Sequence, residues 1–336
     1  MDLITACRDP NLFEPWFRKS PETWSSWFTF LKALFALPLE PAEQELFTRC
    51  TGRVAPPAEP MSEAWLVCGR RSGKSFVLSL IAVYLATFRD WTPHLAPGEH
   101  ATVMIVASDR KQARVIVRYV RAFLEECTLL KPLIQRMAGA NENWSIELDG
   151  RVVIEVHSCS FRTVRGYTVC AALLDEIAFW RSDEGVANPD REVIAAIRPA
   201  MATLQQHGAM MLCASSPYSR RGELWSAWRR YYGKDGPVLI WQSQTTVMNP
   251  TVPQDLIDRE LERDASVAGS EWLAQFRSDI ESFITRAAVE ACIEPGCRER
   301  PPVTGNRYRA FVDPEWRQKR QHDLGGDACR AGLRGP

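Results

Sequence analysis

The 336-residue sequence lacks an excess of charge of either sign, because 41 lysines and arginines are balanced by 41 aspartates and glutamates. This balance argues against a surface coated in basic residues for nucleic acid, although it allows a local basic patch. No apolar segment runs far enough without interruption to cross a bilayer, so we expect no membrane partner. The first five residues lack a basic region followed by an apolar core, and we therefore expect no signal peptide.

The ten cysteines lack the C-x-x-C pairs that zinc and redox sites use. Cys292 and Cys297 are the nearest pair, and no second pair accompanies them. Cys68, Cys170 and Cys213 fall in predicted buried strands, where a thiol behaves as a small apolar side chain. We therefore expect a protein of the reducing cytosol without a disulfide framework or zinc site.

The sequence does contain an apolar run that leads into a turn ending in Gly73-Lys74-Ser75, followed by a long apolar segment. A phosphate-binding loop needs this order of strand, loop and helix, because backbone N–H groups and the helix dipole then favour the phosphates. Gly73 allows close backbone approach, Lys74 reaches phosphate oxygens, and the Ser75 hydroxyl ligates Mg²⁺. The usual first glycine of G-x-x-x-x-G-K-[ST] is replaced by Cys68. A chance Gly-Lys-Ser turn is the alternative, but the flanking strand and helix favour phosphate binding.

A second apolar run, residues 169–174, is typical of a strand buried on both faces, and it ends in Asp175 and Glu176. Asp175 is predicted to hold Mg²⁺ and its water shell beside Ser75. Glu176 is predicted to orient and deprotonate the attacking water. A strand that simply ends in two solvated acids is the alternative. The two motifs together favour ATP hydrolysis over binding alone.

The periodicity between and around these motifs predicts a mostly parallel sheet covered on both faces by helices, and thus an α/β fold. At 46% hydrophobic and 24% charged residues the composition is typical of a globular protein, and its length allows two domains. The predicted strands are residues 64–68, 102–108, 152–156, 170–175, 209–215 and 238–243. The predicted helices are residues 21–37, 74–89, 109–130, 189–203, 222–232, 253–263 and 267–280.

Several polar residues have two open interpretations. The predicted helix from Asp109 carries four arginines on one face, which suits DNA contact or an ordinary solvated face: Arg110, Arg114, Arg118 and Arg121. Ser215 and Ser216 end another buried strand, where they could sense the γ-phosphate or form a plain turn. Arg70, Arg71 and Arg165 could stabilise transition-state charge or be surface residues.

Taken together, these segments resemble the large terminase subunit of tailed bacteriophages, the motor that pumps DNA into preformed capsids. The segments are residues 68–75, 161–168, 173–180, 215–225 and 248–250, within a resemblance that covers residues 15–314. The resemblance implies an N-terminal P-loop NTPase of the additional-strand catalytic-Glu class and a C-terminal nuclease of RNase H-like fold. It implies ATP and Mg²⁺ as cofactors, with the nucleotide bound by Gly69, Arg70, Arg71, Ser72, Gly73, Lys74 and Ser75.

The resemblance also assigns roles to residues that the patterns leave open. The family's phosphate loop often deviates and carries an arginine four residues before the lysine, which is Arg70 here, and the change at Cys68 is then tolerable. Arg165 falls where an arginine finger between subunits is expected, and Ser215 and Ser216 match the coupling motif. The implied partners are double-stranded DNA, the portal protein, the small terminase subunit and other copies in a ring, in the host bacterial cytoplasm.

The resemblance and the composition of the linkers together predict the domain boundaries. We expect an N-terminal helical segment (1–60), a P-loop ATPase core (61–247), lid and linker helices (248–294), a linker (295–306), and a remnant of the first nuclease strand with a disordered tail (307–336). The aromatic N-terminal segment would contact either the adenine or the small subunit.

The nuclease is expected to be essentially missing. Residues 308–313 resemble its first strand, and Asp313 would be the first metal-ligating carboxylate. The acidic strands that follow in the family are not found after Pro314, and a two-metal nuclease needs several carboxylates on a rigid sheet. Asp313 is then a remnant ligand, left by a truncation or a frame shift that sequencing of the encoding DNA would reveal.

The sequence thus predicts the ATPase motor subunit of a phage or prophage terminase with its nuclease lost. Two alternatives stay open. One is a prophage remnant that binds ATP or the portal without packaging, and the other is a helicase-like DNA-dependent ATPase. The chain after residue 280 is short for the second motor domain of a helicase.

Overall fold

The computed structural model describes residues 1–18, 20–108, 110–139, 144–160, 164–180, 189–279 and 304–305, without the side chains of residues 110–112. Residues 1–283 form one compact unit and residues 284–336 another, and the second is described only at Thr304 and Gly305. Asp313 and the strand predicted at residues 308–312 lie outside the described residues. In the described ranges no helix has both the length and the apolar character that a membrane span requires. The predicted domain boundaries stay predictions.

The first strand begins at residue 63, after a purely helical beginning, and strands and helices are interspersed from there onward. The strands are β1 (Glu63–Cys68), β2 (Ala101–Ala107), β3 (Ile134–Ala138), β4 (Ser145–Leu148), β5 (Val152–Ser158), β6 (Thr168–Asp175), β7 (Met210–Ser215) and β8 (Val238–Ser243). The helices are α1 (Leu3–Arg8), α2 (Glu14–Phe17), α3 (Ser25–Leu34), α4 (Pro41–Thr51), α5 (Lys74–Thr87), α6 (Arg110–Glu126), α7 (Pro189–Gln205), α8 (Gly222–Tyr231), α9 (Thr245–Met248), α10 (Gln254–Arg263) and α11 (Ala265–Glu271).

All eight strands form one sheet in the order β3-β4-β5-β2-β6-β7-β1-β8. Strands β5, β2, β6, β7, β1 and β8 run parallel, and β3 and β4 extend the edge in antiparallel fashion. The central strands β1, β2 and β7 are buried along their whole length, because helices cover both faces of the sheet. The predicted α/β fold with a mostly parallel sheet is therefore confirmed.

Strand β7 lies between β1 and β6, the two strands that carry the predicted phosphate-loop and acidic motifs. The register pairs Val67 of β1 with Ser215 of β7, and Asp175 of β6 with Ala214 of β7. Parallel strands end at the same edge of a sheet, where ligands bind in α/β folds. One strand thus separates the two motif strands, as the additional-strand class implies, and its end brings Ser215 and Ser216 between the two motifs.

Two expected helices differ from the structure. The helix predicted at residues 267–280 is wrong in length, because α11 ends at Glu271 and the chain reaches a left-handed residue at Ala274. Arg277 then forms an isolated bridge with Ser219, which requires extended backbone. The helix predicted at residues 21–37 is divided into a 3₁₀ turn, Pro21–Trp24, and α3.

The N-terminal helices pack against the sheet. In α3, Trp27 and Phe30 are fully buried, and the Phe30 ring lies 5.5 Å from that of Trp241 in β8. Such edge-to-face aromatic contacts add to the stabilisation from apolar burial. Ser26 also donates a 2.7 Å hydrogen bond to the Val247 carbonyl in α9. Helix α3 is therefore fixed against β8 and α9.

Candidate active site

Residues 69–73 form a loop between β1 and the first turn of α5, as the sequence predicts for a phosphate loop. Gly73 precedes the helix with φ 102°, a left-handed conformation that costs glycine little. Among the described residues, the backbone N–H groups of Arg71 to Ser75 have no hydrogen-bond acceptor. Unpaired N–H groups at a helix N-terminus favour an anion through their direction and through the helix dipole.

The carbonyl groups of the same loop are held by side chains from distant parts of the chain. Trp27 Nε1 donates a 2.7 Å hydrogen bond to the Ser72 carbonyl. Thr245 Oγ1 donates at 2.8 Å to the carbonyl of Arg70, and Asn249 Nδ2 donates at 2.7 Å to that of Arg71. With three successive carbonyls fixed outward, the peptide planes are fixed too, and the N–H groups are pre-organised for phosphate.

The phosphate-loop pattern expects a glycine at residue 68, but the position where the backbone packs too closely for a side chain is Gly69. A Cβ at Gly69 would overlap the Thr245 hydroxyl and stand 2.6 Å from the Trp272 carbonyl oxygen. Residue 68 is the last residue of β1 and is fully buried, and burial raises the pKa of its thiol to about 12. Cys68 therefore acts as a neutral core residue, which explains why glycine is not required there.

Gly69→Ala is expected to destabilise the fold by about 1–3 kcal/mol, because the added methyl group overpacks a contact with backbone. Thermal unfolding measures this change. Gly269→Ala in α11 is the matched control, since its added methyl would meet only the flexible Gln275 side chain. An unchanged melting temperature for Gly69→Ala would show that the loop has room to move.

Lys74 extends back across the phosphate loop. Its ammonium donates to the carbonyls of Cys68 at 3.0 Å and Gly69 at 3.1 Å, and to Ser216 Oγ at 3.4 Å. It also lies 3.9 Å from Glu176 Oε1, and only 5% of the side chain is exposed. One buried cation thus joins the loop to the ends of β6 and β7, where a phosphate can compete for it.

Asp175 faces the start of α5. Ser75 Oγ donates to its Oδ2 at 3.4 Å, and its Oδ1 is buried without a hydrogen-bond partner in the described chain. Burial, and then the charge of Glu176, raise the pKa of Asp175 to about 7. A hard cation would satisfy the unpaired oxygen and favour the ionised carboxylate, so Ser75 and Asp175 fit Mg²⁺. No cluster of three or more metal-ligating side chains occurs in the described ranges.

Glu176 stands in a left-handed conformation, with φ 50°, at the end of β6. Its Oε2 accepts hydrogen bonds from Ser215 Oγ at 3.1 Å and from the Ser216 backbone N–H at 3.3 Å. A non-glycine residue in this conformation costs about 1–2 kcal/mol, and it turns the carboxylate toward the loop. The structure therefore brings the acidic pair, the phosphate loop and the two serines of β7 to one place.

The phosphate loop and Glu176 open onto a cavity of about 970 Å³. It is lined by the loop residues from Arg70 to Ser75, and by Trp24, Phe76, Val115, Tyr119, Glu176, Phe179, Asn249 and Val252. The Trp24 ring lies 4.6 Å from that of Phe76, so an aromatic wall faces the phosphate loop. The volume and the mixed lining suit a nucleotide. A larger cleft of about 1250 Å³ lies at the opposite ends of β1, β7 and β8 and contains none of the predicted site residues.

The predicted arginines lie in different settings. Arg70 lines the cavity, but its guanidinium pairs with Glu271 of α11. Arg165 is exposed on the loop before β6 and does not line the cavity. On α6, Arg121 pairs with Glu125 at 2.8 Å, Arg118 is exposed, and the Arg110 side chain lies outside the described residues.

Three residues that hold the loop, Trp27, Thr245 and Asn249, had no signal as such in the sequence. Asn249 occurs in a segment that contributed to the family resemblance, and Trp27 occurs in the aromatic N-terminal segment, but neither pattern indicates a contact with the loop. Their partners lie far away in the chain, so only the folded structure reveals them.

Comparisons with known proteins bear on this site. Residues 66–230 match the family model of the terminase large subunit, T4-like virus type, N-terminal part. The large terminase of bacteriophage HK97 is 19% identical, with a TM-score of 0.51 over 76% of this chain and 54% of that chain. The large terminase ATPase domain of Thermus phage P74-26 is 17% identical, with a TM-score of 0.49 over 74% of this chain and 97% of that chain.

A third solved structure is the large terminase of a thermophilic bacteriophage in complex with ADP, 13% identical with a TM-score of 0.42 over 66% of this chain and 50% of that chain. No curated protein matches. The chain spans about half the length of the HK97 protein, and at 19% identity that structure speaks for the fold alone. The family match is independent of the solved structures, and over residues 66–230 the chain is similar to the N-terminal part of the large subunits of phage terminases.

Proposed function

We propose that the chain is the ATP-hydrolysing motor subunit of a phage or prophage terminase, which moves double-stranded DNA into a procapsid. The observation that carries this proposal is the meeting of Lys74, Asp175 and Glu176 around a loop of unpaired N–H groups. This arrangement has a phosphate cradle, a place for a cation and a base, which are the parts that phosphoryl transfer needs.

The triphosphate binds to the N–H groups of Arg71 to Ser75 and draws the Lys74 ammonium away from the carbonyls that it now contacts. Mg²⁺, held by Ser75 and Asp175, would neutralise charge on the phosphate oxygens. The aromatic wall formed by Trp24 and Phe76 offers the base a stacking surface. This wall supports adenine rather than the small subunit as the partner of the N-terminal segment.

Glu176 orients the attacking water and takes its proton, while its second oxygen stays bonded to Ser215 and Ser216. Loss of the γ-phosphate changes the hydrogen bonds of Glu176 to Ser215 and Ser216. The end of β7 therefore couples ATP hydrolysis to a conformational change. Arg70 neutralises charge on the phosphates from within the same chain. Arg165, exposed before β6, serves a neighbouring subunit in a ring.

The surface that contacts DNA is best placed on α8. Three exposed cations, Arg229, Arg230 and Lys234, surround a depression of about 490 Å³ with Trp225 and Ser226. This cluster of positive charge suits the phosphates of a DNA backbone. The arginine face of α6 suits them less well, because Arg121 is already paired with Glu125.

Replacing Arg229, Arg230 and Lys234 by alanine is expected to weaken binding of double-stranded DNA. Each phosphate contact releases about one counterion, so the slope of log affinity against log salt concentration should also fall in magnitude by about three. Fluorescence anisotropy with a labelled duplex at several salt concentrations measures both. The matched control removes three exposed cations elsewhere, Arg8, Arg18 and Arg263. Equal losses in the two triple variants would show that net charge, rather than the end of α8, governs binding.

The function is tested by a packaging assay with portal-bearing procapsids, ATP and linear DNA. We expect DNA that is protected from added nuclease to accumulate only when ATP is hydrolysed, and we expect the portal and the small subunit to be required. ATP hydrolysis that is stimulated by DNA without any protected DNA would favour the helicase-like alternative. No hydrolysis and no protection, with nucleotide binding intact, would favour the remnant.

A further inference from the structure

The end of α11 contacts the phosphate loop through one residue, Glu271. The Arg70 backbone N–H donates to the Glu271 carbonyl at 2.6 Å, and the Arg70 guanidinium forms an ion pair with the Glu271 carboxylate. The Arg70 side chain is 58% exposed and that of Glu271 is 22% exposed. Since Arg70 also lines the nucleotide cavity, its guanidinium has a carboxylate on one side and the phosphate cradle on the other.

The neighbours of Glu271 contact two other segments of the site. Ser270 Oγ donates a 2.5 Å hydrogen bond to the carbonyl of Pro217, which directly follows Ser216. The Trp272 carbonyl accepts a 2.8 Å hydrogen bond from the backbone of Thr245, whose hydroxyl holds the loop at Arg70. Three successive residues at the end of α11 thus connect the loop, the end of β7 and the segment after β8.

We propose that Glu271 is a latch that holds Arg70 away from the nucleotide, and that ATP opens it. The inference rests on the proposed function, since it requires a triphosphate in the cavity. A guanidinium whose charge is already neutralised by a carboxylate attracts a phosphate less strongly, so the two anions compete for it. The triphosphate carries more charge than Glu271 and therefore takes Arg70, which frees the ion pair at the end of α11. By linkage, removing the latch strengthens ATP binding by the factor with which ATP weakens the latch.

The test is the dissociation constant of ATP-γ-S with Mg²⁺ for the full chain, measured by isothermal titration calorimetry. Glu271→Gln is expected to bind about two- to five-fold more tightly, the range that a partly exposed ion pair allows. Arg70→Ala is expected to bind more weakly, and adding Glu271→Gln to it should change nothing further. Such a cycle isolates the pair from other effects of each substitution.

Glu125→Gln is the matched control. It breaks a pair with Arg121 that is likewise partly exposed but lies outside the cavity, and it should leave the dissociation constant unchanged. Glu271→Asp keeps the charge on a shorter side chain and provides a second variant, with an expected affinity between wild type and Glu271→Gln.

Unchanged or weaker binding by Glu271→Gln would overturn the latch, as would an equal gain in the Arg70→Ala background. In the second case the gain would come from the structure of α11 and not from Arg70. If the wild-type chain failed to bind ATP-γ-S, the proposed function would fail and the latch with it. Binding by wild type without a response to Glu271→Gln removes the latch alone.

Discussion

Replacing Glu176 by glutamine is expected to lower kcat for ATP hydrolysis by about 10²–10⁴-fold, the usual contribution of a general base. Glutamine has nearly the same shape and can still accept the hydrogen bonds from Ser215 Oγ and the Ser216 N–H. The phosphate loop and Lys74 are unchanged, so ATP-γ-S should bind with nearly wild-type affinity. Steady-state phosphate release and calorimetric binding measure the two quantities separately.

The control is the same chemical change at Glu125 on α6, which should leave both quantities unchanged. Hydrolysis that survives in Glu176→Gln would mean that another group accepts the proton. Loss of binding together with hydrolysis would mean that the strained turn at residue 176 had collapsed and that the variant reports on folding.

Asp175→Asn is expected to stabilise the metal-free protein at pH 8 by about 2–4 kcal/mol while it abolishes hydrolysis. The pKa of Asp175 is about 7 in the folded chain, against an ordinary value of 3.8, mainly because the carboxylate is buried. Each unit of such a difference corresponds to about 1.4 kcal/mol of stability. Between about pH 4 and pH 7 the folded state binds the additional proton, so stability from this group falls as pH rises and is lowest above pH 7.

Urea unfolding in EDTA at pH 5 and pH 8 measures this effect. The wild-type chain should lose stability between the two pH values relative to Asp175→Asn, in which the group cannot ionise. Asp258→Asn on exposed α10 is the control and should leave the pH dependence of wild type intact. Equal stability of wild type and Asp175→Asn at pH 8 would indicate that solvent reaches the Asp175 carboxylate. Mg²⁺ with ATP-γ-S should stabilise wild type and not Asp175→Asn.

The sequence predicts the central sheet well because those strands are buried on both faces and leave continuous apolar runs, as at β1 and β7. It misses β3, which lies at the edge of the sheet, is only partly buried and has no clear alternation of apolar and polar residues. It also misses β4, which has only four residues. It also misses α4, which is only weakly amphipathic. The helix predicted at residues 267–280 is too long because long-range contacts at Trp272 and Arg277 override a local helical pattern.

The candidate site divides in the same way. Lys74, Ser75, Asp175 and Glu176 follow directly from motifs at strand ends, and the structure brings them together. That Ser215 and Ser216 come between them depends on the order of strands, which local patterns do not specify and the family resemblance suggests. The Arg70–Glu271 pair joins residues about two hundred positions apart, and no periodicity encodes it.

The hydrogen bond from Trp27 to the Ser72 carbonyl makes two segments 45 residues apart dependent on each other. A chain trimmed to begin just before β1 would keep nearly every group proposed to contact the triphosphate and would lose the indole that fixes the loop. Exchange of N-terminal segments between related phages by recombination would have the same effect unless residue 27 and residue 72 were inherited together. The segment that must be inherited together for this nucleotide site to work therefore begins well before β1, at the N-terminal helices.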